Sequence, residues 1–194
     1  MFYRRRVRVT KEYLLRTLKG HAHYVSSLAF SPDGKTLASG DIDKILRLWN
    51  VSDGSLIRAW EGHPSDITGV AFHPDGQILA STSMGRVIRL WNVSDGSLIR
   101  TLEGHMNQVT GVAFSPDGRT LATANGDYTI QLWTMPDAVL FCVLKKCAGG
   151  STPMVFSPDS KLLISTGTGG SVLIWKVSDG SLLRTFKGCP NDVR

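Results

Sequence analysis

Short apolar runs alternate with turn residues along nearly the whole chain, and they do so in sets of four. The first full set reads VSSLAF (25–30), TLASG (36–40), ILRLWN (45–50) and SLIRAW (55–60). Each run is short, rich in β-branched or large apolar residues and bounded by turn chemistry, so each predicts a strand. Ser31-Pro32-Asp33-Gly34 predicts a hairpin between the first two: Pro presets φ, Asp bonds to nearby backbone and Gly accepts positive φ. Ser52-Asp53-Gly54 does the same between the third and fourth and recurs at 94–96 and 178–180, whereas the third copy reads Met135-Pro136-Asp137-Ala138.

The set occurs four times. Trp49, Trp91, Trp133 and Trp175 stand 42 residues apart, as do Phe30, Phe72, Phe114 and Phe156. A fixed period of this size marks a repeat architecture, whose four-stranded units bury their faces only by stacking on one another. The units fall at about 20–61, 62–103, 104–145 and 146–187, and 188–194 reads as the start of a fifth.

With Gly-His ahead of the first strand and Trp closing the third, the pattern resembles the WD40 repeat family from Tyr13 onward. The resemblance implies an all-β propeller of four four-stranded antiparallel blades. It also implies that YLLRTL (13–18), a fourth-type strand without its own first three, completes the last blade. SLLRTF (181–186) already supplies that strand, so two strands compete for one place. The expectation is therefore either a partial, open propeller, part of a longer ring of about seven blades, or half of an eight-bladed homodimeric ring. The Asp of the WD dipeptide is absent, replaced by Asn50, Asn92, Thr134 and Lys176 at a strand end that tolerates polar residues.

Within each unit His, Ser or Thr, Asp and Trp recur at family-like positions. The first unit has His21, Ser39, Asp43 and Trp49; the third has His105, Thr123, Asp127 and Trp133. The second keeps His63, Ser81 and Trp91 with Gly85 for Asp; the fourth keeps Ser165 and Trp175 with Cys147 for His and Gly169 for Asp. These residue types also make a hydrolytic triad. A buried indole N–H, however, needs an acceptor, and a hydroxyl can take it while passing its own proton to imidazole. Repetition in every blade points to a structural network rather than one active site. No catalytic or cofactor-binding residues are assigned. His21 and His23 are too few for a metal site.

Partner binding is expected where the frame varies. By resemblance, the upper rim comprises the loop after Gly-His, giving Tyr24, Ser26, Asp66, Thr68, Gln108 and Thr110, and the turn between second and third strands, giving Ile42 and Met84. Tyr24 is the leading candidate, because aromatic anchors often dominate interfaces. The function expected is a non-catalytic protein–protein or peptide-binding scaffold, a sensing or docking module of a larger signalling or assembly protein. Its rival is a small-ligand or enzymatic propeller using the central channel.

Charge changes that picture at one place only. The net charge of +6 lies within the first 19 residues, where Arg4, Arg5, Arg6, Arg8, Lys11, Arg16 and Lys19 face Glu12 alone. Nucleic acid or another polyanion is thus expected only through the basic arm, residues 1–12. No apolar run reaches the roughly 18 residues of a membrane span. Three cysteines without metal spacing point to a reducing, cytoplasmic setting.

Overall fold

The computed structural model describes residues 15–61, 63–147 and 153–187. The basic arm, the start of a fifth unit and Cys189 lie outside the described residues.

Among the described residues sixteen strands form four sheets, each antiparallel and in simple chain order. The first contains β1 (Val25–Phe30), β2 (Thr36–Asp41), β3 (Leu46–Asn50) and β4 (Leu56–Trp60). The second contains β5 (Ile67–Phe72), β6 (Ile78–Ser83), β7 (Ile88–Asn92) and β8 (Leu98–Leu102). Next come β9 (Val109–Phe114), β10 (Thr120–Asn125), β11 (Thr129–Thr134) and β12 (Val139–Lys145). The last sheet has β13 (Met154–Phe156), β14 (Leu162–Gly167), β15 (Ser171–Lys176) and β16 (Leu182–Phe186). Gly54, Gly96 and Gly180 take positive φ in the turn from third to fourth strand; Ala138 takes it in the divergent third copy, at 51°.

The sheets stack as blades, with β1 against β5, β5 against β9 and β9 against β13. Each junction is filled by the front face of one blade and the back face of the next. Ala38, Leu46, Leu48 and Trp60 meet Ile67, Val70, Phe72 and Leu79 at the first junction. Ala80, Ile88, Leu90 and Leu102 meet Val109 and Leu121 at the second; Ala122, Ile130, Leu132 and Leu144 meet Phe156 and Leu163 at the third. Burying one such large side chain contributes about 1.5–3 kcal/mol. Among the described residues no comparable packing joins β1 to β13, so the four blades form an open arc.

The leader departs from expectation. Residues 15–20 pair with no strand of any sheet, and β16 is the fourth strand of the last blade. A ladder needs a neighbouring third strand, and among the described residues none stands beside residues 15–20.

Candidate functional site

The four polar chains differ from blade to blade. In the first, Trp49 Nε1 donates to Ser39 Oγ at 2.8 Å, and Ser39 Oγ lies 2.6 Å from His21 Nε2. The carboxylate on His21 is Asp41, 2.6 Å from Nδ1, and not Asp43. Alternation along β2 explains the difference: residues 39 and 41 point to the same face, whereas Asp43 sits in the following turn, 3.4 Å from His23 Nε2. Asp41 also accepts from Arg47 at 2.6 Å and from Ile45 N–H at 3.0 Å. Burial pushes its carboxyl up, but His21, Ile45 N–H and Arg47 outweigh this and hold it below the usual carboxylate value.

In the second blade Ser83 occupies the place of Asp41, so His63 has no carboxylate. Ser81 Oγ lies 2.5 Å from His63 Nε2 and accepts from Trp91 Nε1 at 2.8 Å. Burial, then the charge of Arg89, lowers the His63 pKa to about 4. In the third, Thr123 Oγ1 is 3.3 Å from His105 Nε2 and 3.1 Å from Trp133 Nε1. Asp127 turns instead to Thr129, taking its hydroxyl at 2.6 Å. Burial lowers the His105 pKa to about 4 despite the opposing influence of Asp127 and Gln131. In the fourth, Trp175 Nε1 donates to Ser165 Oγ at 2.9 Å, and the Cys147 sulfur is 4.0 Å from that hydroxyl. Burial pushes the Cys147 thiol up to about 11, which disfavours the nucleophilic thiolate.

These geometries predict unequal costs. Ser81→Ala strands the Trp91 N–H and a His63 nitrogen, and should lower unfolding free energy by about 2–3 kcal/mol; Ser165→Ala strands only the Trp175 N–H and should cost about 1 kcal/mol. Guanidinium unfolding of the two variants checks the order; a larger loss from Ser165→Ala contradicts it.

At one end of the arc, the loop before the first strand is tied, in the first three blades, to the turn between second and third strands. Ile42 N donates to Tyr24 O at 3.2 Å, Met84 N to Asp66 O at 2.9 Å and Gly126 N to Gln108 O at 2.8 Å. The two expected rim segments are therefore neighbours. Tyr24 is 82% exposed; Ile42 and Met84 are exposed as well. Ser26 and Thr68 belong instead to the joints: their hydroxyls donate to Ile67 O and Val109 O of the next blade, each at 2.5 Å. Thr110 donates within its own sheet, to Ala124 O at 3.3 Å.

Two exposed rim residues escape the sequence reading, Met106 and Tyr128. Tyr128 takes φ 67°, as Lys44 (71°) and Arg86 (62°) do in the corresponding turns. Side-chain residues in a conformation that favours glycine carry strain of about 1 kcal/mol or more. Comparing the turns column by column would have singled them out, since the fourth blade has Gly170 there. Among the described residues no three His, Cys, Asp or Glu side chains converge to hold a metal, and no helix is long and apolar enough to cross a membrane.

The family model described as WD domain, G-beta repeat matches residues 12–50, 54–92, 96–134 and 151–176. Single-repeat similarities reach several curated proteins. Small ribosomal subunit protein RACK1 of Medicago sativa is 46% identical over 41 residues, 21% of this chain and 13% of that protein. Apoptotic protease-activating factor 1 of Rattus norvegicus is 55% identical over 42 residues, 22% of this chain and 3% of that protein. Protein HIR1 of Kluyveromyces lactis is 49% identical over 41 residues, 21% of this chain and 5% of that protein. In each case the matched part spans a small fraction of the relative.

Proposed function

Because the chain belongs to the WD40 repeat family, we propose that it is a non-catalytic platform that docks a protein or peptide on its rim, as a sensing or docking module of a larger signalling or assembly protein. The observation that carries this reading is the rim itself. Tyr24, Ile42, Met84, Met106 and Tyr128 are exposed large apolar side chains gathered at one end of a frame whose other repeated positions are structural. Exposed aromatic and methionine side chains are suited to anchoring a partner: tyrosine brings a large contact area at a small entropic cost, and methionine adapts its flexible thioether to the partner's surface. The names of two relatives, a small ribosomal subunit protein and a protease-activating factor, fit a role exercised through other proteins.

The His and Ser residues that suggest hydrolysis support the structural role better. His63 and His105 are buried beside Trp91 and Trp133. Imidazoles with pKa values near 4 are also poor bases at neutral pH.

Tyr24→Ala should weaken a partner captured by the full chain at least about tenfold, roughly 1.4 kcal/mol, with unfolding free energy unchanged. Titration calorimetry reads the affinity. A change within about twofold removes the support for the rim.

A further inference from the structure

The two ends of the arc present the two halves of a contact that the chain already makes three times. The back face of the first blade consists of Val25, Leu28, Phe30 and Leu37. Its counterparts Ile67, Val70, Phe72 and Leu79 in the second blade are buried against the first. Phe30 is 63% exposed against 9% for Phe72, and Leu28 is 61% exposed against 6% for Val70. On the fourth blade the front face consists of Val155, Ile164, Val172, Ile174 and Phe186, counterparts of Ala29, Ala38, Leu46, Leu48 and Trp60. Val155 and Phe186 are exposed and the other three half-buried.

We propose that these faces join two copies of this chain head to tail, the front of each fourth blade on the back of the partner's first blade. Two such contacts close an eight-bladed ring and leave neither face open. A single copy offers both complementary surfaces, so two copies satisfy both by two-fold closure. Val155 and Ile164 stand where the inner blades carry alanine, so the fourth front face offers more apolar surface than the inner ones.

The leader sets a condition on this assembly. A Cβ placed on Gly54 would lie 2.5 Å from Arg16 Cδ and 3.0 Å from a Leu18 methyl. The equivalent atom on Gly96 would meet Arg58 at 2.6 Å and Trp60 at 2.3 Å, both on the fourth strand of the preceding blade. On Gly180 it would meet Cys142 at 2.1 Å, again on a preceding fourth strand. Arg16 and Leu18 thus fill the place of Arg58 and Trp60 for a blade that the arc lacks. A docking β16 needs the same place for Arg184 and Phe186. The leader must therefore move aside for the ring to close, and it holds the affinity of the dimer down.

This inference is independent of the rim reading: mass in solution tests the one and partner affinity the other. The test is sedimentation equilibrium of the full chain over a dilution series. The expected species are monomer and dimer. Phe30→Asp and Val155→Asp each weaken dimerisation at least about tenfold, while circular dichroism confirms that both variants, altered at exposed positions, remain folded. An equimolar mixture of the two regains part of the dimer, because the intact front of one meets the intact back of the other. Leu18→Ser tightens the dimer by loosening the leader. Monomer at every concentration overturns the proposal, as does a dimer indifferent to both face variants. A mixture no more dimeric than its components excludes the head-to-tail contact, and a dimer unchanged by Leu18→Ser excludes the leader as competitor.

Discussion

Unfolding free energy should fall steeply as the pH is lowered from about 6.5 to about 4, starting well above the range in which carboxylates protonate. His63 and His105 are buried as neutral imidazoles with pKa values near 4, against 6.5 for an unhindered histidine. Between those values the unfolded chain binds protons that the folded chain refuses, so stability rises with pH through this window and is lost as pH falls. Below about 4 both states are protonated and this contribution levels off. Each histidine removes on the order of 3 kcal/mol, a large part of the stability of a small domain. Asp41, held below its usual range, adds a further loss at still lower pH, in the same direction. Guanidinium midpoints measured from pH 7 to pH 4.5 check this. His63→Gln should flatten the curve by about half; a flat profile for the unaltered chain contradicts the burial of both rings.

Asp41→Ala is expected to be the most damaging single polar substitution. The carboxylate is fully buried and faces both His21 and Arg47 at 2.6 Å. Its removal leaves the Arg47 charge, 8% exposed, without a counter-ion. Breaking a buried pair from one side costs about 3–5 kcal/mol, because the remaining charge stays desolvated. The same measurement at pH 7 reads it, and a loss under about 1 kcal/mol would mean that Arg47 finds water. Asp43→Ala makes the control: among the described residues its ionic contact is the exposed His23, so its cost should stay under about 1 kcal/mol.

The repeat made much of this architecture legible in the sequence. Once Trp49, Trp91, Trp133 and Trp175 set the period, strand limits followed from turn residues to within one or two positions, because Pro, Asp and Gly act locally on the backbone. What depends on side-chain direction was harder to read. Asp41 and Asp43 are the same residue type two positions apart, and only the end of β2 decides which one faces the imidazole. Ser26 and Thr68 look like variable rim positions, yet their hydroxyls cross to the next blade, a pairing over 41 residues that no local pattern encodes. The leader YLLRTL has the composition of a strand, yet its described part, residues 15–18, pairs with no strand, because strand formation there depends on a neighbour rather than on propensity. Tyr128 was missed for a related reason: its positive φ is a property of the turn and not of tyrosine.

The first and fourth blades each have one open face, and their polar chains differ in length. The first has the full sequence Trp49, Ser39, His21, Asp41; the fourth has Trp175 and Ser165, with only the weakly accepting Cys147 sulfur beyond. Native-state hydrogen exchange of the amides in β2 and β3 against those in β14 and β15 therefore isolates what the chain of hydrogen bonds contributes to the frame. If the repeated His, Ser and Asp residues are architecture, the β14 and β15 amides exchange faster. Equal protection in the two blades, or slower exchange in the fourth, would contradict that claim and return those residues to the search for a chemical function.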